Sequence, residues 1–300
     1  MKQIPVRSNR SLVQIKFGNG RFQVLGMGTW YSHWRDPYHL MLMVPWFGFL
    51  TIIIFVYLAI NALFALLYLL QPGGIANATS GSFTDAFFFS VQTLASIGYG
   101  AMYPQTLYTN AIVTLEALVS LMSIAVITGL AFARFSRPTA RVLFSQFAVI
   151  APYNSVPTLM FRTANQRRNQ ILEAQIQVYL MRDETSHEGQ TMRRFYNLNL
   201  LRQNTPSFSL SWTIMHPIGP DSPLYTMTPE SMIATQTALV VSLSGVDETV
   251  VQPIHARYTY TAAEILWNHS LVDIFYDSSD GYRYLDYSRF HQTQPLRPSR

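Results

Sequence analysis

A long stretch with almost no charge in the first half of the chain restricts its fold more than any other feature. Between Pro37 and Ala133 there is no Lys or Arg, and the only acidic residues are Asp85 and Glu116. Charged residues are 12% of the whole chain, compared with about 25% in ordinary soluble domains. This composition predicts a membrane-embedded segment joined to a soluble part.

Two apolar runs in this stretch, 40–70 and 110–135, are long enough to cross a bilayer. The first is too long and too far from the N terminus for a cleaved signal peptide. Basic residues flank both runs, and they are Lys2, Arg7, Arg10, Lys16, Arg21, Arg35, Arg134, Arg137 and Arg141. Because positive charge is enriched in cytoplasmic segments, we expect a cell-membrane protein with two spans and both termini in the cytoplasm. The connection 71–109 would then lie outside.

That connection has an internal order. Gln71-Pro72-Gly73-Gly74 ends the first run, because Pro and Gly interrupt helices. Ser82 or Thr84 can cap a helix over Asp85–Leu94, with the acidic residue in its first turn. This helix is too short to cross the membrane, and its C-terminal carbonyls would favour a cation near the membrane centre.

Directly after this helix comes Ser96-Ile97-Gly98-Tyr99-Gly100, a candidate ion-selecting loop. Gly98 and Gly100 can adopt positive φ, which lets successive carbonyls point the same way. Ile97 and Tyr99 would then face away from the ion, and Ser96 would add a hydroxyl at the inner end. In a soluble protein Gly-Tyr-Gly is more often an ordinary turn. Irregular backbone at membrane depth must instead line a path or be buried in protein, which favours a potassium site built from the carbonyls of residues 96–99.

The second apolar run carries Ser120, Ile124, Thr128 and Phe132 at four-residue intervals. Residues four apart lie near one face of a helix, so four such helices would surround a cavity with Ile124 on its wall. Phe132, nearest the cytoplasm, would form a hydrophobic constriction that closes the pore by dewetting. Aromatic residues at this spacing more often serve packing, and both interpretations stay open.

Two further features flank the candidate pore. Glu116 is an ionisable residue at membrane depth, and we favour a hydrogen-bonded brace behind the loop, with Gln92 as its partner. The segment Trp30–Tyr38 is rich in Trp and Tyr, which favour the water–lipid boundary. It predicts either an interfacial helix along the inner surface or a simple anchor for the first span.

After Pro138 the sequence changes to short segments rich in β-branched and aromatic residues, separated by Pro, Gly and Asn. The predicted strands are Val142–Ile150, Thr158–Arg162, Ile171–Arg182, Phe208–Met215, Ala238–Ser244 and Val272–Tyr276. Asp277–Gly281 is typical of a hairpin turn. These segments predict an all-β sandwich of about 160 residues. The expected domains are an N-terminal segment 1–36, a pore domain 37–138 and a β domain 139–300.

Several function classes find no support in the residues. We find no nucleophile triad, phosphate loop or metal-ligand spacing, and we therefore expect neither an enzyme nor a cofactor. The chain has no Cys, which excludes disulfides and thiol metal sites. Its net charge of +5 would suit nucleic acid, but no zinc-finger or helix-turn-helix signature is present, and basic residues beside the spans favour anionic lipid. The scattered histidines are expected to be structural or surface residues, and they are His187, His216, His255, His269 and His291.

Over roughly residues 30–295 the chain resembles the inward-rectifier potassium channels, especially their prokaryotic (KirBac-like) branch. The segments that carry the resemblance are Gly81–Thr93, Ser96–Gly100, Ala133–Pro138, Leu159–Glu173 and Asp286–His291. The resemblance implies a homotetramer with one pore on its four-fold axis and an immunoglobulin-like cytoplasmic assembly that extends the pore. It also implies gating by anionic lipid, and block by polyamines, Mg²⁺ or Ba²⁺.

Individual positions match functional positions of that family. By this resemblance Arg134, Arg137 and Arg167 are expected to contact anionic lipid, as Arg141 is from its place beside the inner leaflet. Glu173 matches an acidic position that lines the cytoplasmic pore. The segment Gly245–Gln252, including Val246, matches a loop that narrows the apex of that pore.

Three positions depart from the family pattern. Ser96 stands where the loop usually begins with Thr, so the hydroxyl is kept but the β-branched stiffness is lost. Ser120 replaces a glycine often proposed as a hinge. Ile124 stands where strong rectifiers carry an acid, and we therefore expect weak rectification. The alternatives are a non-conducting membrane sensor on the same fold and a membrane-tethered enzyme, for which no catalytic residues are evident.

Overall fold

The structure is a computed structural model that describes residues 14–18, 21–25, 36–277 and 281–296. It divides into two compact units, residues 28–137 and residues 1–27 with 138–300. Most of the predicted interfacial segment, Trp30–Arg35, lies outside the described residues. The first described elements are strands β1 (Gln14–Gly18) and β2 (Arg21–Leu25), which pair as an antiparallel hairpin.

The unit 28–137 is helical. Its helices are α1 (Pro37–Met43), α2 (Trp46–Leu69), α3 (Phe83–Leu94) and α4 (Leu107–Phe135), and β3 (Ile75–Ala76) pairs with β4 (Tyr103–Pro104). Helices α2 and α4 have the length and composition to cross a membrane, with mean hydropathy of 2.6 and 2.1. Only 17% and 11% of these apolar segments are buried within one chain, which agrees with the two predicted spans.

The first apolar run forms two helices, whereas a single span was predicted. The Asp36 side chain caps α1 by accepting a hydrogen bond from the His39 N–H at 3.0 Å. Val44 is extended, with ψ of 140°, because the following Pro45 disfavours helical backbone. The first span therefore begins at Trp46 instead of Leu40.

Local capping also sets the ends of α3 and α4. Ser82 caps α3, as one of the two predicted alternatives, and the helix starts at Phe83, two residues before the predicted start. Thr106 and Thr109 form a reciprocal capping box, so α4 starts at Leu107 rather than at residue 110. Helix α3 packs between α2 and α4 around a cluster of Phe64, Ala65, Tyr68, Ala86 and Phe89.

The second unit is an all-β assembly of two five-stranded sheets. One has the order β10-β8-β12-β13 with β9 on β8, and the other has the order β11-β7-β6-β14 with β5 on β7. Their strands are β5 (Val142–Phe144), β6 (Ala148–Tyr153), β7 (Val156–Asn165), β8 (Ile171–Thr185), β9 (Thr191–Asn197), β10 (Asn204–Phe208), β11 (Ser211–Pro217), β12 (Ala238–Asp247), β13 (Gln252–Thr261) and β14 (Ile265–Trp267). The core between them is apolar, and its largest buried side chains include Phe161, Leu180, Ile214 and Tyr260.

Smaller elements complete this unit. Helix α5 (Pro229–Ala234) precedes β12, and β15 (His269–Leu271) pairs with β18 (Thr293–Pro295). Strands β16 (Phe275–Asp277) and β17 (Arg283–Leu285) pair antiparallel, as the predicted hairpin requires. The centre of its turn, Ser278–Asp280, lies outside the described residues.

The strand predictions were correct in type and less accurate in extent. Val142–Ile150 is two strands, because the Ser145 side chain turns back to hydrogen-bond the Phe147 carbonyl at 2.9 Å. Phe208–Met215 is likewise divided between β10 and β11, and only the end of Val272–Tyr276 is strand. Strands β9 and β13 and helix α5 were not predicted. In β9 no residue is fully buried, and its polar and apolar residues do not alternate as they do in a half-buried strand.

Candidate functional site

The candidate loop follows α3 with alternating backbone handedness. Ser96, Gly98 and Gly100 have φ of +54°, +58° and +80°, while Ile97 and Tyr99 are not in the positive-φ region. Such alternation turns successive peptide groups the same way, so that N–H groups line one side and carbonyls line the other. The positive φ predicted for both glycines is confirmed, and the positive φ of Ser96 was not predicted.

Backbone hydrogen bonds hold the start of this loop against the end of α3. The Ser96 N–H donates to the Thr93 carbonyl at 3.0 Å, and the Ile97 N–H donates to the Gln92 carbonyl at 2.8 Å. Within one chain residues 95–100 are all exposed, with Tyr99 at 74%. The loop is therefore uncovered within a single chain, and the backbone carbonyls of the loop are the candidate cation ligands. Among the described residues no three His, Asp or Glu side chains come together as a metal site.

Helix α4 holds the loop region through polar side chains. Its three residues that are buried within one chain are Thr109, Glu116 and Ser120, and all of them are polar. Thr109 Oγ1 donates to the Gly74 carbonyl at 3.0 Å, and Ser120 Oγ donates to the Leu94 carbonyl at 2.5 Å. The second bond satisfies a carbonyl in the last turn of α3, directly before the loop.

Glu116 is hydrogen-bonded, but not to the partner that we predicted. Its carboxylate oxygens lie 2.5 Å from Ser90 Oγ and 2.5 Å from Tyr68 Oη. Gln92 was expected here, and it lies two positions after Ser90, a rotation of about 200° around α3. It therefore lies away from the face that contains the buried Ala86, Phe89, Ser90 and Leu94.

The four residues predicted to share one face of α4 do not all lie together. Steps of four residues drift by about 40° each in a helix of 3.6 residues per turn, so Ser120 and Phe132 are about 120° apart. Ser120 is buried against α3, whereas Ile124 and Phe132 are 56% and 72% exposed within one chain. Ser120 lies about 40° from Ile124 and donates its hydroxyl to α3, and the exposed Ile124 and Phe132 are available to line a cavity.

Two of the predicted lipid-binding arginines contact the end of α1. Arg134 donates to the carbonyls of Met41 and Val44, the latter at 2.6 Å, and its guanidinium lies 4.8 Å from the Trp46 ring centroid. Arg137 donates to the Leu42 carbonyl at 3.3 Å. These carbonyls carry the negative end of the helix dipole, so the contacts fasten α1 to the end of α4.

In the β unit, Arg167 is paired and Arg141 is exposed. Arg167 donates to Thr139 Oγ1 at 2.7 Å and to the buried Asp247 carboxylate at 2.9 Å. Burial would raise the pKa of Asp247, but hydrogen bonds from Asn169, from the N–H groups of Thr249 and Val250 and from Arg167 together lower it. Asp247 therefore fixes the turn that follows β12.

The candidate cytoplasmic-pore residues meet at a β-bulge. Along β12 and β8 the pairing shifts between Ser244 and Val246, so Glu173 and Ala174 both lie opposite Gly245. Glu173 is exposed with φ of +49°. A Cβ on Gly245 would lie 2.5 Å from Ile171 Cγ2, so only glycine fits opposite the bulge.

The predicted narrowing loop is shorter than expected. Strand β12 continues to Asp247 and β13 starts at Gln252, so Gly245 and Val246 belong to a strand. The connection itself is limited to residues 248–251. Its short length follows from the ladder between β12 and β13, which pairs Gly245 with Ile254 and Val246 with Pro253.

Comparisons with known proteins give a consistent result. The chain is similar to the inward rectifier potassium channel Kirbac3.1 of Paramagnetospirillum magnetotacticum, with 46% identity over 91% of this chain and 93% of that protein. Inward rectifier potassium channel 4 of Homo sapiens is 32% identical over 70% of this chain, and the match spans 49% of that longer protein.

Family descriptions match both units. Residues 46–137 match the family described as Ion channel, and residues 142–299 match the Inward rectifier potassium channel C-terminal domain. Among solved structures, the sporulation control protein Spo0M of Bacillus subtilis matches 43% of this chain and 50% of its own at 9% identity, with a TM-score of 0.25. A similarity that low supports no argument about the fold.

Proposed function

This chain belongs to the inward-rectifier potassium channel family, and on that premise we propose that four copies of it form one potassium-selective pore. The proposal depends most on one observation, the alternating handedness of residues 96–100 at the end of a short helix between two spans. Four such loops would present rings of carbonyls that replace the water shell of a potassium ion. The exposed loop of a single chain suits a site completed by other copies.

A flux experiment tests this proposal. Purified protein in liposomes is expected to pass K⁺ and Rb⁺ well above Na⁺. Gly98→Ala should abolish the preference, because a side chain in the left-handed region costs about 1–2 kcal/mol in each copy. Gly219→Ala is the matched control, since Gly219 has no positive φ and no atom within 4 Å of an added Cβ.

The flux outcomes separate the main alternatives. Equal passage of Na⁺ and K⁺ by the unmodified protein would contradict the assignment of residues 96–100 as a filter. A folded tetramer without flux in any lipid would favour the non-conducting sensor.

We also place gating at the inner surface of the membrane. Arg141 is exposed and follows the end of α4 by six residues in the sequence, which suits an anionic headgroup, each basic group there gaining about 1 kcal/mol. Arg134 and Arg137 already donate to backbone carbonyls of α1, so we assign them to the mechanical link between α1 and α4. Lipid that contacts this region would shift gating by moving that link.

For rectification we propose weak block by polyamines or Mg²⁺. Ile124 supplies no charge at the candidate cavity wall, and Glu173 is the acidic residue that faces outward from the bulge in β8. A ring of four such carboxylates would attract a multivalent cation only modestly, because exposed charges are screened within about 8 Å at physiological salt.

A further inference from the structure

The network around Glu116 lies where α2, α3 and α4 meet. Glu116 contacts Ser90 Oγ and Tyr68 Oη at 2.5 Å each, and Ser90 Oγ also lies 3.0 Å from Asn61 Oδ1. Glu116, Ser90 and Asn61 are fully buried, and Tyr68 is 2% exposed. Three close oxygen–oxygen contacts therefore occur in a closed, largely apolar environment.

The orientation of the Asn61 amide is determined by its other contact. Asn61 Nδ2 donates to the Tyr57 carbonyl at 2.8 Å. Rotating the amide would place Asn61 Oδ1 against that carbonyl, and two acceptors at this distance repel each other. The oxygen that faces Ser90 is therefore an acceptor, and it needs a proton from the Ser90 hydroxyl.

Counting protons gives the charge state of Glu116. Each of the three contacts needs one proton. With an ionised Glu116 the network has only two, one on Ser90 and one on Tyr68, so one oxygen pair is left in unscreened repulsion. With a proton on the oxygen that faces Ser90, Glu116 donates to Ser90, Ser90 donates to Asn61, and Tyr68 donates to the second carboxyl oxygen. Every contact is then a hydrogen bond.

The surrounding charges agree with a neutral carboxyl group. No Lys or Arg occurs between Pro37 and Ala133. This stretch contains helices α1, α2 and α3 completely, and α4 up to its last turn. The other titratable groups of this stretch, besides tyrosines, are His39 in α1 and Asp85 in the first turn of α3. An ionised carboxylate buried without a cation is costly in a membrane.

We propose that Glu116 is a neutral carboxylic acid whose proton completes the chain Tyr68–Glu116–Ser90–Asn61, and that this chain positions α3 for the filter. Ser90 lies one turn before Leu94, and Ser120 lies one turn after Glu116, so Glu116 and Ser120 hold α3 at two successive turns. Glu116 is thus a positioning residue. The protonation stands by itself, whereas the effect on the filter rests on the proposed function.

Replacement by Gln distinguishes the two charge states. A neutral acid offers one donor and one acceptor, and Glu116→Gln offers the same pattern, with its amide nitrogen toward Ser90 and its oxygen toward Tyr68. An ionised Glu116 would accept from both hydroxyls, and Gln cannot accept on both sides. Glu116→Gln should therefore keep the function, while Glu116→Ala and Ser90→Ala should interrupt the chain.

Infrared difference spectroscopy tests the protonation without any need for conduction. The spectrum of the full chain minus that of Glu116→Gln, in liposomes at neutral pH, is expected to contain the C=O stretch of a protonated carboxylic acid. Asp85→Asn is the control and should remove carboxylate bands instead, since Asp85 is only half-buried at the start of α3 and its carboxylate accepts a hydrogen bond from the Thr79 N–H. Loss of carboxylate bands alone in Glu116→Gln would overturn the proposal.

Selectivity measurements test the positioning role. Glu116→Gln should keep the K⁺ over Na⁺ flux ratio of the unmodified protein, whereas Ser90→Ala should lower that ratio by about fivefold or more. The positioning role would be overturned if the Glu116→Gln variant assembled but lost selectivity, or if the Ser90→Ala variant kept its selectivity. If the unmodified protein does not conduct, the proposed function fails, and the infrared result still decides the protonation.

Discussion

Ser96 and Glu173 are non-glycine residues with positive φ, and both stand at candidate ion-contacting positions. Left-handed backbone costs such residues about 1–2 kcal/mol, so it persists only where the surroundings impose it. At Ser96 the hydrogen bonds to the last turn of α3 impose it, and at Glu173 the bulge opposite Gly245 does. Each conformation turns the backbone at the point where the residue would face an ion.

His216 is a buried residue of the β unit with both ring nitrogens in use. Nδ1 contacts the Asn199 carbonyl at 2.7 Å, and Nε2 lies 2.8 Å from Ser222 Oγ. Because Ser222 Oγ also accepts from the Leu224 N–H, its hydroxyl proton is free to bond Nε2 of a neutral ring. Burial lowers the pKa of His216 below its ordinary value.

The lowered pKa of His216 predicts a stability that depends on pH. As pH falls, His216 takes up its proton in the unfolded chain before it does so in the folded chain. The contribution of neutral His216 to the free energy of unfolding is therefore fully present above about pH 6.5. Below that value it is lost by at most about 1.4 kcal/mol per pH unit. Thermal unfolding followed by Trp fluorescence should show this slope, and His216→Gln should reduce it. His255→Gln, at an exposed position, is the control. An unchanged slope in His216→Gln would contradict this role.

At the scale of elements, the link between α1 and α4 depends on the forked shape of the Arg134 guanidinium. It reaches the carbonyls of Met41 and Val44 at once and lies over the rings of Trp46 and Phe49. Lys has the same charge but no planar fork, so it cannot reproduce both contacts. The arrangement joins a short helix without basic residues of its own to the end of the second span.

The two kinds of arginine are therefore expected to behave differently. Arg134→Lys should lower thermal stability by about 1–2 kcal/mol and change gating in every lipid, because it breaks hydrogen bonds to a charged group. Arg141→Gln should leave stability within about 0.5 kcal/mol and change only the dependence of flux on anionic lipid. Flux assays in neutral and anionic liposomes measure both. Identical lipid dependence in Arg141→Gln and the unmodified channel would exclude Arg141 as a lipid contact.

At the scale of the whole molecule, the strength of rectification depends on where acidic groups stand along the pore. Steep block needs a charge in a low-dielectric, voltage-sensing region, and Ile124 supplies none. Ile124→Asp should therefore steepen voltage-dependent block by spermine in bilayer recordings. Glu173→Gln should weaken the residual block.

The control for these recordings is Asp85→Asn, which removes an acid in the first turn of α3. It should leave block by internal spermine unchanged. Steep block in the unmodified channel, or no gain from Ile124→Asp, would contradict the place of Ile124 on the pore wall.

The sequence by itself determined the features that depend on local chemistry. The absence of Lys and Arg between Pro37 and Ala133 marks the membrane unit, and Gly98 and Gly100 permit positive φ without a steric penalty. Ser82 caps α3 through contacts within one turn of helix. These features could be predicted because their causes lie within a few residues, or in the composition of a whole segment.

Only the tertiary structure decided which distant groups meet. Glu116 is paired with Ser90 and Tyr68 instead of Gln92, because the rotation of α3 decides which of its residues face α4. Arg134 contacts α1 because the break at Val44 exposes carbonyls beside it. Strand β13 escaped prediction because its polar residues are stabilised by ten paired positions on β12, and such pairing depends on packing between segments that the linear pattern does not record.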